Sequence, residues 1–330
     1  MRCALLSYST LNLGDEIQSI AAQQFLPSTD SLVDRDQLNH LPDNAAGEYK
    51  ILLNGWHTHK PENWPPSPSF IPLITSFHIS RETYSEDESR PRPSDVLLEE
   101  KNLAYFRAHA PIGARDLWTR DLLRQSGIEA YFSGCLTLTL GSGQPKTTQN
   151  YACAVDIDGP VFDHLRKQIR GPILKLTHID SRAGSFTERC KRARRLLSIY
   201  AHAKFVVTSR LHCALPCLAL QTPVLLINMA PDIYRFRGLN DLLRCCSPED
   251  FLEGRYEFNV NDLPPNRSAY LRYREELIRT VNKFIGADAA KLETPLHPFV
   301  PDSPNKVLNF GRLAQIRYSN RLSEFSVSAR

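Results

Sequence analysis

The chain has 330 residues, 42% hydrophobic and 23% charged, a folded globular composition with room for two domains of ordinary size. Its 40 Lys and Arg against 36 Asp and Glu leave a formal charge of +4. That is too mild for a phosphate-tracking nucleic-acid groove and better suited to one small anionic ligand.

"MRCALLSYST" interrupts its apolar run too early for a secretory leader, and no stretch approaches the roughly 20 apolar residues that span a bilayer. The eight Cys are scattered through mostly apolar runs without a CxxC pair, so reduced thiols in a cytoplasmic protein are expected.

The first elements alternate strand and helix. "RCALLSY" predicts a strand, and "EIQSIAAQQFL" a helix with Ile17, Ile20, Ala21 and Phe25 on one stripe. In the corner between them Gly14 permits a tight turn, Asp15 is placed to cap, and Asn12 can cap or reach a ligand. The corner is neither GxGxxG nor a P-loop, so nucleotide binding in those modes is unsupported. "KILLNG" predicts the second strand. It runs into "NGWHTHKPENW", whose Trp56, His57, His59 and Trp64 either hold a sugar face or plug a loop.

"FIPLITSFHI" is a third strand, "SEDESRPRPSD" a loop, "VLLEEKNLAYFRAHA" a helix and "PIGARD" a short strand. "LWTRDLLRQSG" is a helix ending at Gly127, and "IEAYFSG" returns as a strand. Arg115 and Asp116 fall at a strand-to-helix corner, as site residues, as an ion pair, or with Asp116 as a cap. This rhythm predicts a parallel sheet with helices on both faces.

"GSGQPKTTQN", Gly141 to Asn150, reads as a linker, after which the rhythm restarts. "YACAVDI", "PILKLTHI", "KFVVTS" and "PVLLI" are strands. "FDHLRKQIR" and "SFTERCKRARRLLSIYAHA" are helices, the second capped by Ser185 or Thr187. Its basic run predicts a solvated face, since Leu196, Leu197 and Tyr200 complete an amphipathic pattern. "SAYLRYREELIRTVNKFIG" is a long helix near the end. The fold class is therefore α/β, with two Rossmann-like domains at 1–145 and 146–286 and a tail, 287–330, that the pattern does not place.

The most informative corner lies inside "VVTSRLHCALPCLALQTPVLLI". Ligands of open parallel sheets bind beyond the carboxyl ends of strands, and "KFVVTS" ends at Ser209, so Arg210 and His212 lie where a ligand is expected. A guanidinium beside unpaired helix N–H groups suits phosphate or carboxylate. The plainer reading is an Arg bonded to the loop and a satisfied interior His. Pro216 implies that the helix kinks or begins near Ala214. His212, Cys213 and Cys217 lack a fourth ligand, so no metal is expected.

Three of these pieces together resemble the polysaccharide pyruvyl transferase family: "NLGDEIQS", "GARDLWTRDLLRQSGI" and "LLSIYAHAKFVVTSRLHCALPCLALQTPVLLI". The resemblance implies a GT-B-like arrangement of two Rossmann-like domains facing a cleft. It also implies transfer of the enolpyruvyl unit of phosphoenolpyruvate to a sugar as a pyruvate ketal. By that resemblance Arg115 and Arg210, with Ser209 and Leu211 of the same corner, hold the donor and His212 is the acid. Asn12, Gly14, Asp15, His57, His59 and Asp116 are then acceptor or cleft residues. The implied partners are phosphoenolpyruvate and a free, lipid-linked or polymeric saccharide, without nucleic acid or a cofactor. A lipid-linked acceptor leaves peripheral membrane contact open. The chain departs from the family in "NGWHTHKPENW", in Gln221 where a Gly is usual, and in Pro216. A nucleotide-sugar glycosyltransferase and a carbohydrate-binding module on the same fold remain the alternatives.

Overall fold

The computed structural model describes residues 2–41, 47–82, 91–141, 147–229, 234–256, 258–288 and 291–309. Part of the expected linker (142–146), most of the acidic loop (83–90) and the end of the tail lie outside the described residues.

The first sheet holds β1 (Arg2–Ser7), β2 (Ser31–Asp34), β3 (Tyr49–His57), β4 (Phe70–Ile79), β5 (Ile112–Ala114) and β6 (Ala130–Phe132). Every pairing is parallel, in the order β2-β1-β3-β4-β5-β6. The second holds β7 (Ala152–Val155), β8 (Ile173–Leu176), β9 (Phe205–Thr208), β10 (Val224–Ile227) and β11 (Cys245–Cys246). It is also parallel, in the order β11-β10-β9-β7-β8. The helices are α1 (Leu13–Gln23), α2 (Pro93–Leu97), α3 (Glu100–Ala108), α4 (Leu117–Gln125), α5 (Gly159–Gln168), α6 (Phe186–His202), α7 (Leu211–Ala219), α8 (Pro248–Leu252), α9 (Leu271–Ile285) and α10 (Pro304–Asn309). The chain thus adopts the expected α/β architecture of two Rossmann-like units.

Strand alternation sorts the cores. Cys3 and Leu5 of β1, Cys153 and Val155 of β7, and Val206, Val224 and Leu226 all face one inner core, joined there by α1, α6 and α7. The residues between them face two outer cores: Ala4, Leu6, Ile51 and Leu53 in one, Ala154, Val207, Leu225 and Ile227 in the other. Such runs are apolar throughout because both faces of a parallel sheet are covered.

Several elements differ from expectation. β2 and β11 are too short and polar to read as strands. The helix expected over "VLLEEKNLAYFRAHA" is two, because Glu99, just before α3, is extended. Ser185 caps α6 in a full capping box with Glu188. The basic face of α6 is not simply solvated: Arg189 is buried and pairs with Glu16 of α1 at 2.5 and 3.1 Å, and Arg194 donates to Gln23 Oε1. Between His297 and Val307 the tail docks on the inner core. His297 N donates to Gln24 O, Asp302 N to Ser198 Oγ, and Phe299 and Val307 are buried.

His57 and His78 are both fully buried in the first unit. Burial, then the charge of Arg35, pushes the His57 pKa down to about 3. Burial takes His78 to about 4, against the pull of Asp116. Unfolded, both titrate near pH 6.5, so below that value the unfolded chain binds protons that the folded chain refuses. Stability is therefore complete above about pH 6.5 and is lost as the pH falls toward 4, by about 1.4 kcal/mol per pH unit for each histidine. Thermal denaturation should show this slope, and His57→Phe, which keeps the ring packing, should reduce it to about the share of His78 alone.

Candidate active site

Both sheets reverse strand order once, between β1 and β3 and between β7 and β9. At such a switch the neighbouring connections leave toward opposite faces and open a crevice beyond the strand ends. The two crevices face each other across a single cavity of about 490 Å³. The first unit lines it with Thr10, Asn12, Asp15, Arg35, Trp56, His59 and Arg115, and the second with His178, Ser209 to His212, Met229, Arg235 and Phe236.

On the second unit's wall, α7 begins at Leu211 with Arg210 as its N-cap, so Pro216 lies inside the helix rather than delaying it. Arg210 donates from Nε to Asp156 Oδ2 at 2.9 Å. Asp156 sits just past β7 at a left-handed φ of +51° and also accepts from Thr177 Oγ1 and His178 N. Burial opposes ionisation of Asp156, but those hydrogen bonds and the Arg210 charge hold its carboxyl below the usual range. Ser209 Oγ donates to Asp156 O, and Leu211 is buried at the wall. His212 lines the cavity with Nε2 buried and without a hydrogen-bond partner. Burial first, then the charge of Arg115, sets its pKa well below the ordinary imidazole value.

On the first unit's wall Arg115 is 2% exposed. Its Nε has no hydrogen-bond partner, and its approach to Asp116 Oδ2 is 3.5 Å. Asp116 is committed elsewhere: it accepts from His78 Nδ1 at 2.6 Å and from Thr119 N at 2.9 Å, as the cap of α4. A buried guanidinium is left with unused donors facing a cavity, the arrangement that an anion completes.

The sequence offers two caps at the α1 corner, Asn12 and Asp15, and the structure uses one of them. Asn12, not Asp15, caps α1, by accepting from Gly14 N at 3.0 Å. Asp15 lines the cavity and accepts from Thr10 Oγ1 and Gln18 Nε2. Gly14 is needed for close approach rather than for a turn: a Cβ there would lie 3.2 Å from His178 Nδ1 and 3.3 Å from His212 Cβ.

Strand β3 splits its aromatic cluster. Gly55, at φ +101°, sits at a register shift against β4. Beyond it Trp56 faces the cavity and His57 the opposite side, where it stacks on Phe77 at 4.3 Å. His57 and Trp64 are therefore part of the outer aromatic core, and Asp116 is a buried cap. None of these three lines the cavity. His59 does, with Nδ1 3.0 Å from Asp36 Oδ2 and 2.8 Å from Arg35 Nη2.

Sequence reasoning missed three titratable lining residues. Arg35 is 1% exposed and lies between the rings of Tyr8 and Trp56, each 4.9 Å away. It follows β2, which went unrecognised. His178 was read inside a strand that in fact stops at Leu176, so it too stands past a strand end, with Nε2 on Tyr200 Oη at 3.0 Å. Arg235 carried no signal. Among the described residues no group of three or more His, Cys, Asp or Glu could hold a metal ion. Cys213 and Cys217 are buried in the inner core.

Residues 98–231 match the sequence model of a family described as polysaccharide pyruvyl transferase. The matched segment contains Arg115 and the whole Ser209–His212 corner, whereas Asn12, Asp15, Arg35, Trp56 and His59 lie before it. No curated protein matches the chain. A solved structure of an uncharacterized Klebsiella pneumoniae protein is similar at 12% identity and a TM-score of 0.42, over 71% of this chain and 87% of that one. A UDP-N-acetylglucosamine 2-epimerase structure is similar at 11% identity and a TM-score of 0.37, over 86% and 97%.

Gly14→Ala tests the close approach of α1 and α7. The gain in helix propensity, about 1 kcal/mol, roughly offsets mild overpacking. The melting temperature should therefore hardly move. Turnover should fall by about 10-fold or more, because the His212 wall is displaced by a few tenths of an ångström.

Proposed function

We propose that the cavity binds phosphoenolpyruvate and transfers its enolpyruvyl unit to a saccharide, releasing phosphate and leaving a pyruvate ketal. The observation that carries this reading is Arg115: buried, with unused donors, on the wall of the cavity that also holds His212. The pyruvyl transferase match over the segment that supplies both residues supports it.

The donor is densely anionic, with a carboxylate and a phosphate on one three-carbon unit. Arg115 and Arg210 approach from different units and can fix both groups, while the N-terminus of α7 adds N–H donors. Orientation by two guanidiniums holds C3 toward the imidazole. His212 protonates C3, C2 gains oxocarbenium character, and a sugar hydroxyl adds there. Loss of phosphate and attack by a second hydroxyl close the ketal. No step in this sequence calls for a metal or an organic cofactor.

In the empty site His212 is held neutral by burial and by Arg115. The donor's negative charge raises its pKa and loads the proton where C3 needs it. Donor affinity should accordingly fall as the pH rises through the pKa of the complex, and His212→Gln should remove that dependence along with turnover. Titration of donor-induced thermal stabilisation across pH measures both.

Arg115→Lys should lower kcat/KM by about 10²-fold or more, since an ammonium cannot supply a planar fork in a dry site. Arg210→Lys should cost less, because Arg210 is already paired with Asp156 and is half-exposed. The deciding experiment incubates the protein with phosphoenolpyruvate and a panel of glycosides and detects ketal by mass and phosphate by release. Stabilisation by UDP or GDP but not by phosphoenolpyruvate would place the chain with nucleotide-sugar transferases instead.

A further inference from the structure

The proposed transfer needs a proton acceptor as well as a donor. Each sugar hydroxyl that bonds to C2 must lose a proton, and the departing phosphate must gain one. Asp15 is the one carboxylate that lines the cavity among the described residues. Asp36, Asp116 and Asp156 stand behind the wall, each within 3.0 Å of an arginine or histidine nitrogen, whereas the cation nearest Asp15, Arg35 Nη1, is 3.9 Å from its Oδ1.

We infer that Asp15 is the general base of the transfer, working opposite His212 across the seam between the two units. This rests on the pyruvyl-transfer reading. Asp15 lies in the first turn of α1 and His212 in the first turn of α7. Gly14 stands between them, and its missing Cβ lets the two helix starts approach. Thr10 Oγ1 donates to one carboxylate oxygen at 2.6 Å and Gln18 Nε2 to the other at 3.2 Å, which fixes the group while leaving lone pairs on both oxygens. The other two lining imidazoles are less suited. His178 is 1% exposed with Nε2 on Tyr200, and His59 has its Nδ1 between Asp36 and Arg35.

The proton inventory closes with these two groups alone. In the addition, His212 gives its proton to C3, the first hydroxyl oxygen bonds to C2, and that hydroxyl's proton passes to Asp15. In the closure, the C2–O bond to phosphate breaks, Asp15 returns its proton to the departing phosphate, and the second hydroxyl oxygen bonds to C2. The second hydroxyl's proton passes to His212. Both side chains end in their starting protonation states, and of the two acceptor protons one has replaced that given to C3 and the other is on phosphate.

Asp15→Asn keeps the hydrogen-bonding shape and removes the base. Ketal formation should drop by roughly 10²- to 10⁴-fold, the usual weight of a positioned general base, while stabilisation by phosphoenolpyruvate persists. In Asp15→Ala, added formate should restore part of the rate, which a merely structural role does not predict. Asp15→Asn activity within about 10-fold of wild type, or failure of formate to rescue a folded Asp15→Ala that still binds phosphoenolpyruvate, overturns the assignment and leaves the transfer reading intact. Absence of ketal with the wild-type chain and every acceptor removes the transfer reading and the base with it.

Discussion

The site depends on how α1 is held. One helix packs on its own sheet through Leu13, Ile17 and Ile20 and on the second unit's α6 and α7 in the same inner core. The Glu16–Arg189 pair crosses this seam. Glu16 is fully buried and Arg189 8% exposed, so each would be a costly buried charge without the other. Just before α1, Leu13 N donates to His178 O and Asp180 N to Leu11 O, which ties the first unit's corner to the second unit's loop as a short antiparallel bridge. α9 and the segment after it strap the units from the far side: Lys50 Nζ donates to Phe284 O and Phe132 meets Tyr273 edge-on. The two strand-order reversals are thereby fixed face to face, and the cavity between them is built before any ligand arrives.

Charge at that cavity is unevenly neutralised, and the unevenness carries its chemistry. Four arginines line it. Arg35 has Asp36 at 3.0 Å and two aromatic rings, and Arg210 has Asp156 at 2.9 Å. Arg115 has only the 3.5 Å edge of an Asp116 already committed to His78 and to a helix cap. Arg235 has no carboxylate partner among the described residues, so uncompensated positive potential concentrates around Arg115, Arg235 and His212, while the Trp56–His59 side is closer to internally balanced. The proposed placement of an anionic donor at the first and an uncharged sugar at the second rests on that division.

Much of this was legible in the chain. Apolar runs with short polar corners gave the two parallel sheets, the rule that ligands sit beyond strand ends singled out Arg210 and His212, and the family resemblance added Arg115. What failed, failed for definable reasons. β2 has four residues and polar ends, so Arg35 was never placed past a strand. The end of β8 was set three residues late, which hid His178. Alternation along β3 could not be phased across the Gly55 irregularity, so His57 and Trp56 were grouped although they face opposite ways.

The sequence by itself determined the fold class, the tandem repetition of the parallel unit and the corner residues at strand ends. These follow from local periodicity and from the need to cover both faces of a parallel sheet. The tertiary structure alone decided which partner each charge has. Asp116 and Arg115 are adjacent in the chain, yet the folded Asp116 belongs to His78, and Arg189, in a run that reads as solvent-facing, is buried against a glutamate 173 positions earlier. Pairing of charges is set by distances between elements far apart in sequence, and no local pattern encodes those distances.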